Sequence, residues 1–217
     1  MSDEAFALRW KAPLREHMKL LGYVGNSEGG IYVRPIDSTW KAWLGINKAS
    51  YQGSVVLNPV IGVRNEPLEK LLGSFRGRRL GLYSAPTYST TLLYLSGSMN
   101  PSRWEVLKSM SDSECGAVID DIVAVLQTDG PRFLEEHASL DKIAELIAPS
   151  PMVPGVAFRY PLILAIQGRY EEALAYAGSY LDSCLPEGSE SAYVSLYRKY
   201  LQSLSVFVGQ SLNGNPA

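Results

Sequence analysis

An α+β fold is predicted, with an antiparallel sheet and flanking helices in residues 1–110 followed by a helical region in 111–217. Two observations carry this. Extended runs separated by turn clusters crowd into the first third of the chain, and capped runs with three- and four-residue apolar steps dominate after residue 110. Strands early and helices late is the order of an α+β fold, whereas a parallel α/β fold alternates them. The two regions are expected to form one compact unit, with the Pro-rich stretch 149–155 as the linker candidate.

Element by element, Leu14, Met18 and Leu21 share one helical face behind Pro13, and Gly22 stops the run, which predicts a helix starting at Pro13. Beyond a Gly-rich loop, Ile31 to Ile36, Thr39 to Asn47 and Ser54 to Val63 read as a meander of antiparallel strands, divided by Asp37-Ser38 and by Ala49 to Gly53. Asn65 can cap a helix over Glu66 to Leu72 that ends at Gly73, and the sheet is expected to resume at Arg79 to Tyr83 and Thr90 to Leu95. Asn100-Pro101 predicts a short helix to about Lys108, because proline lacks the amide proton that a first-turn residue leaves unpaired anyway.

Ser111 and Glu114 form a capping-box pattern ahead of Val118, Ile119, Ile122, Val123 and Leu126, an amphipathic helix. Pro131 to His137 and Leu140 to Ile147 follow as helices, the second capped by Ser139. Two further helices are expected across Gly168. A last one carries Tyr193, Tyr197, Tyr200, Leu201, Leu204, Phe207 and Val208 on one stripe, and the tail from Leu212 is expected to fray.

With 46% hydrophobic and 19% charged residues the chain is too apolar for intrinsic disorder. A net charge of -2 provides no global positive field, so neither nucleic acid nor an anionic membrane is an expected partner, although a local basic patch stays open. The N-terminus Met1-Ser2-Asp3-Glu4 is acidic and lacks an apolar signal core, and no apolar run reaches the roughly 18 residues of a membrane span. A cytoplasmic address is the expectation.

Few residues offer chemistry. Cys115 and Cys184 lack metal-ligand spacing and read as small apolar packing residues, with a disulfide or reactive thiol as the alternative. His17 and His137 stand without a nucleophile or carboxylates at a fixed offset, so no catalytic residues, metal site or cofactor are predicted. Arg76, Arg78 and Arg79, interleaved with glycines, form the densest positive charge and the best anion-site candidate; a solvated basic turn is the competing reading. Asp112, Glu114, Asp120 and Asp121 gather at the start of the fourth helix, where Asp112 and Glu114 suit the helix dipole; Asp120 and Asp121 form either a solvated face or a contact for a basic partner. Trp40 and Trp43 lie three apart in a strand and so point to opposite faces, one into the core and the other under a helix or toward a partner.

The segment Ala165 to Leu174 resembles the centre of a tetratricopeptide repeat, in which a glycine ends one helix and an aromatic and an alanine let the next pack closely. It covers about one repeat and departs from the pattern at Pro161, and a solenoid needs about three repeats to bury its faces. The resemblance implies an antiparallel helix pair.

The first third, from Leu14 through the helix end Leu21-Gly22-Tyr23, the run Ile31-Tyr32-Val33-Arg34, the turn Asn47-Lys48-Ala49-Ser50-Tyr51 and the strand Val55 to Val63, resembles bacterial families similar to immunity proteins encoded beside polymorphic or secreted toxins. The likeness spans about 50 residues, and this chain departs from it at the turn, where the family style has glutamine. It implies a protein that is not an enzyme and that neutralises a cognate toxin by occluding its active site. Asp112, Glu114, Asp120 and Asp121 are then the toxin-facing carboxylates, with Trp43 as an anchor. Two alternatives stand beside it: a small-ligand protein or enzyme with a site assembled from distant segments around Arg76, Arg78 and Arg79, and a helical adaptor for a peptide partner.

Overall fold

The computed structural model describes residues 3–26, 30–148, 154–184 and 191–213. It is an α+β protein whose antiparallel sheet lies early in the chain and whose C-terminal half is helical. Two compact units divide it, one of residues 1–65 and 82–138, the other of residues 66–81 and 139–217. Partition by contact thus runs differently from the partition by composition at residue 110, because the excursion 66–81 joins the late helices.

In the first unit, helix α1 (Asp3–Leu20) precedes strands β1 (Val24–Gly25), β2 (Ile31–Pro35), β3 (Trp40–Tyr51) and β4 (Ser54–Asn65). Beyond them come β5 (Tyr88–Thr91), the short helix α3 (Leu92–Leu95), β6 (Glu105–Leu107) and helices α4 (Asp112–Thr128) and α5 (Gly130–His137). The sheet order is β1-β2-β3-β4-β5, antiparallel throughout, with β6 also pairing β4. Helix α1 starts ahead of the expected Pro13. Phe6, Trp10, Leu14 and Met18 recur every four residues and are all buried, and that stripe carries the helix across the proline.

The central hairpin pairs β3 with β4 from Trp40↔Asn65 to Tyr51↔Ser54. Its turn at Gln52-Gly53 uses a positive φ of 94° at Gly53, which glycine adopts without steric cost. Gly62 lets β5 approach: a Cβ there would stand 2.7 Å from the Tyr88 carbonyl oxygen. The strand expected at Arg79 to Tyr83 does not form; Tyr83 is fixed instead by its hydroxyl, which donates to the Gly25 carbonyl at 3.1 Å. Thr90 and Thr91 are strand as expected, but Leu92 turns into α3 because the Thr91 hydroxyl caps the Tyr94 amide. The helix expected after Pro101 is replaced by a turn and β6, since Val55 and Val56 on β4 offer ladder partners to Val106 and Glu105.

In the second unit, α2 (Glu66–Phe75) belongs with α6 (Leu140–Ile147), α7 (Pro154–Ile166), α8 (Tyr170–Cys184) and α9 (Ala192–Leu212). Residues 149–153 of the expected linker, and the last four residues of the tail, lie outside the described residues. Helices α7 and α8 pack as a pair across Gly168 (φ 77°), with Ala173 and Ala177 fully buried, as the repeat-like segment implies. Pro161 sits inside α7 and leaves the Ala157 carbonyl without its helical amide partner. The Tyr197 hydroxyl donates to that carbonyl at 3.2 Å, and the Tyr200 hydroxyl donates to the Phe158 carbonyl at 2.6 Å. Burial pushes the Tyr200 hydroxyl well above its ordinary pKa, keeping it a donor. Glu69 of α2, fully buried, receives Arg159 of α7 through two hydrogen bonds of 2.8 and 3.1 Å.

Candidate protein-binding groove

Strand β3 is longer than its neighbour β2. Pairing with β2 ends at Ile31↔Gly45, and one further bond runs from the Ile46 amide to the Gly30 carbonyl at 2.8 Å. From Asn47 to Tyr51 every residue is exposed. In an antiparallel ladder alternate residues turn their backbone groups to opposite sides. The Ile46 amide points away from β4, so those of Lys48 and Ser50 do too; the Leu57 amide, bonded to the Trp104 carbonyl at 2.9 Å, fixes the same parity on β4. Among the described residues no strand covers that side of Lys48 and Ser50. The Gly30 amide is taken by the Asn26 side chain at 3.1 Å, which ends the β2 ladder there.

Helix α1 walls the open edge. One concavity of about 430 Å³ is lined by Trp10, Lys11, Asn26, Trp43 and Lys48 among others. A second, of about 190 Å³, is lined by Phe6, Trp10, Ser50, Tyr51 and Lys108 among others. Trp10 and Lys48 border both, but only the first lies beside the open edge of β3; the second, lined also by Ser54 and Val55 of β4 and by Lys108 beyond β6, lies over the face of the sheet. A Cβ at Gly45 would lie 2.2 Å from the Trp43 ring, so the indole packs closely against that glycine. The Lys11 ammonium stands 5.7 Å from the Trp10 ring centroid and the Lys108 ammonium 5.7 Å from that of Phe6, cations held over aromatic faces. No carboxylate lines either concavity among the described residues.

The four carboxylates of α4 are placed by local rules. Ser111 and Glu114 complete the capping box, and the hydrogen bonds from the Ser111 amide and hydroxyl hold the Glu114 carboxyl below its ordinary range. Asp112 receives Arg9 at 2.6 Å, and Asp120 lies 3.0 Å from His17 Nε2. Both partners sit on α1, and both pairs advance along their helices together, so α1 and α4 run side by side in the same direction. Asp112 and Asp120 nonetheless stay 89% and 67% exposed and are open to a partner. Asp121 is committed inside the unit: Arg103 donates two hydrogen bonds of 2.8 Å and the Trp104 indole one of 2.7 Å. Arg103 holds its carboxyl below the ordinary range.

The chain matches no family model, no curated protein and no solved structure.

Trp40 and Trp43 are both buried, at 7% and 8% exposure, so the sheet is covered on both faces where they stand. The Trp43 indole nitrogen is buried without a hydrogen-bond partner among the described residues. Cys115 is buried and burial pushes its thiol pKa up, as a packing residue requires; the Cys184 side chain lies outside the described residues. His137 stacks on Tyr88 and Phe133, with ring centroids at 5.2 and 4.3 Å, and its Nδ1–H donates to the Phe133 carbonyl at 2.8 Å.

In the other unit, Arg76 lies over the Phe158 ring at 4.6 Å, and burial, then the charges of Arg78 and Arg159, lower its pKa. Arg78 and Arg79 are exposed on the turn that follows. The three therefore do not converge as one cradle: Arg76 packs inward while the other two face solvent. Among the described residues no group of three or more His, Cys, Asp or Glu side chains is placed to hold a metal ion, and no helix is long and apolar enough to cross a membrane. Sequence reading missed the groove because Lys11 and Lys48 come from separate segments, and only the packing of α1 beside β3 joins them.

Proposed function

We propose that the protein acts by binding another protein, as an immunity-type inhibitor that occludes the active site or substrate cleft of a cognate toxin. The open edge of β3 beside Trp10 carries this reading. It offers backbone groups that pair with no strand among the described residues, beside Trp10, on a hairpin joined by a full-length ladder to β4. An inhibitor needs such a preformed surface, because little binding energy is then lost in ordering it. The exposed Asp112 and Asp120, pinned by Arg9 and His17 of α1, add a stiffened acidic face for a basic region of the same partner.

The test is protection. Cells producing a toxin encoded beside this protein should grow when the protein is co-expressed, and the purified pair should lose toxin activity at one-to-one stoichiometry. Absence of protection, together with a metabolite retained by the purified protein, would replace this reading with the small-ligand one.

A further inference from the structure

We infer that the edge of β3 from Ile46 to Ser50 is a strand-addition site for an extended, acidic segment of a protein partner. The inference rests on the protein-binding reading and names the chemistry of what docks. The outward backbone groups of Lys48 and Ser50, together with the Ile46 carbonyl, supply the donor and acceptor row that an added strand requires. β2 fills the same side of β3 as far as Gly45, so an incoming segment continues a row of pairing already begun.

Charge selects the occupant. Among the described residues, Lys11 and Lys48 border the concavity beside this edge and no carboxylate lines it, so side chains entering over Trp10 meet ammonium groups at the rim and an aromatic ring below. Carboxylates alternating with apolar residues fit that arrangement, because alternate side chains of an extended strand point to opposite sides. A second copy of this chain fits poorly: two-fold pairing centred on this edge sets Lys48 against Lys48, and like charges directly opposite destabilise a ladder.

The probe is a pair of end-blocked hexapeptides, one alternating valine with glutamate and one alternating valine with lysine, titrated into the full chain and followed by amide NMR. The glutamate peptide should shift the Lys48 and Ser50 amides and the Trp10 indole saturably, and bind about tenfold more tightly than the lysine peptide. Lys48→Glu should remove that preference. Ser50→Pro should abolish binding while leaving the spectrum of β4 intact, since the Ser50 amide takes no part in the β3–β4 ladder and proline is tolerated on an edge. Ser50→Ala, which keeps the amide, should bind as the parent does.

Equal affinity for both peptides, or shifts that spare residues 46–50, would overturn the inference. So would a concentration-dependent dimer that Ser50→Pro dissolves, because the occupant would then be a second copy. In the protection assay, rescue that survives Ser50→Pro and Lys48→Glu undiminished overturns strand addition but leaves the inhibitor reading standing, whereas no rescue by the parent protein removes that reading itself.

Discussion

In the helical unit, Pro161 deprives the Ala157 carbonyl of its helical partner, and a tyrosine from another helix donates to it; in the sheet unit, β3 runs past the cover of β2 and its Lys48 and Ser50 backbone groups face solvent. Both begin with backbone groups that secondary structure leaves over. The first lie in the interior, where an unpaired polar group costs about 1–3 kcal/mol, and selection for stability fills them. The second lie at the surface, where water satisfies them until a partner's backbone replaces it. A leftover group therefore contributes to stability in one unit and is available for recognition in the other.

The contrast breaks most visibly at Glu69. It is fully buried, and Arg159 meets it through two hydrogen bonds, so Glu69→Ala leaves a largely buried guanidinium without its carboxylate. The expected loss is about 3–5 kcal/mol. Trp10, Trp40, Trp43 and Trp104 all belong to the sheet unit, while Tyr197 and Tyr200 lie in the helical one. Urea unfolding followed by near-ultraviolet tyrosine dichroism should therefore register the loss, and an unchanged midpoint would show that the pair contributes nothing net.

Tyr197→Phe sharpens the comparison by removing only the hydroxyl. The Ala157 carbonyl then has neither an amide nor a phenol, for an expected cost of about 1–3 kcal/mol. Tyr180→Phe is the control. Among the described residues its hydroxyl meets only the Tyr193 hydroxyl, at 3.0 Å in a part-buried position, so its removal strands no backbone group and should cost less. Equal costs for the two would mean that the proline-freed carbonyl is satisfied by some other route.

How much of this was legible depended on the range of the signal. Ser111 with Glu114, Ser139 before α6 and Gly168 between α7 and α8 act within one helical turn, and each does in the structure what its local pattern predicts. The turn at Gly53 and the strands it joins were legible for the same reason. Pro13 misled because its local meaning, a helix start, lost to the four-residue burial stripe of α1. Pro101 misled likewise, since the ladder that β4 offers to Val106 is a tertiary fact. The candidate site was legible only in fragments. In the sequence Trp43 reads as an anchor, whereas its ring packs against Gly45 of its own strand, and the lysines of the groove are dispersed along the chain. The acidic segment of α4 was conspicuous as a charge cluster, yet pattern alone does not reveal that Asp121 is already held by Arg103 and Trp104.

That commitment yields the smallest expected effect and one with a defined sign. Asp121 has its folded pKa lowered, first by the hydrogen bonds from Arg103 and then by that from the Trp104 indole. A carboxyl whose folded pKa lies below its unfolded value of about 3.9 adds stability that is fully present above that value. The contribution is lost as pH falls through the lowered folded pKa. Its size is limited because the Asp121 side chain is 43% exposed and solvent screens the pair. Glu114 is lowered too, by Ser111, so the acid limb of the parent protein contains both groups. Asp121→Asn separates them: the amide oxygen can still accept from Trp104 while the charge facing Arg103 is gone. Stability of parent and variant, followed by tryptophan fluorescence, should differ by a constant amount above about pH 5 and converge as the pH approaches 2. A difference that persists unchanged to the acid end would assign the effect to packing around Trp104, and the ion pair would then be a consequence of how α4 sits rather than a cause of it.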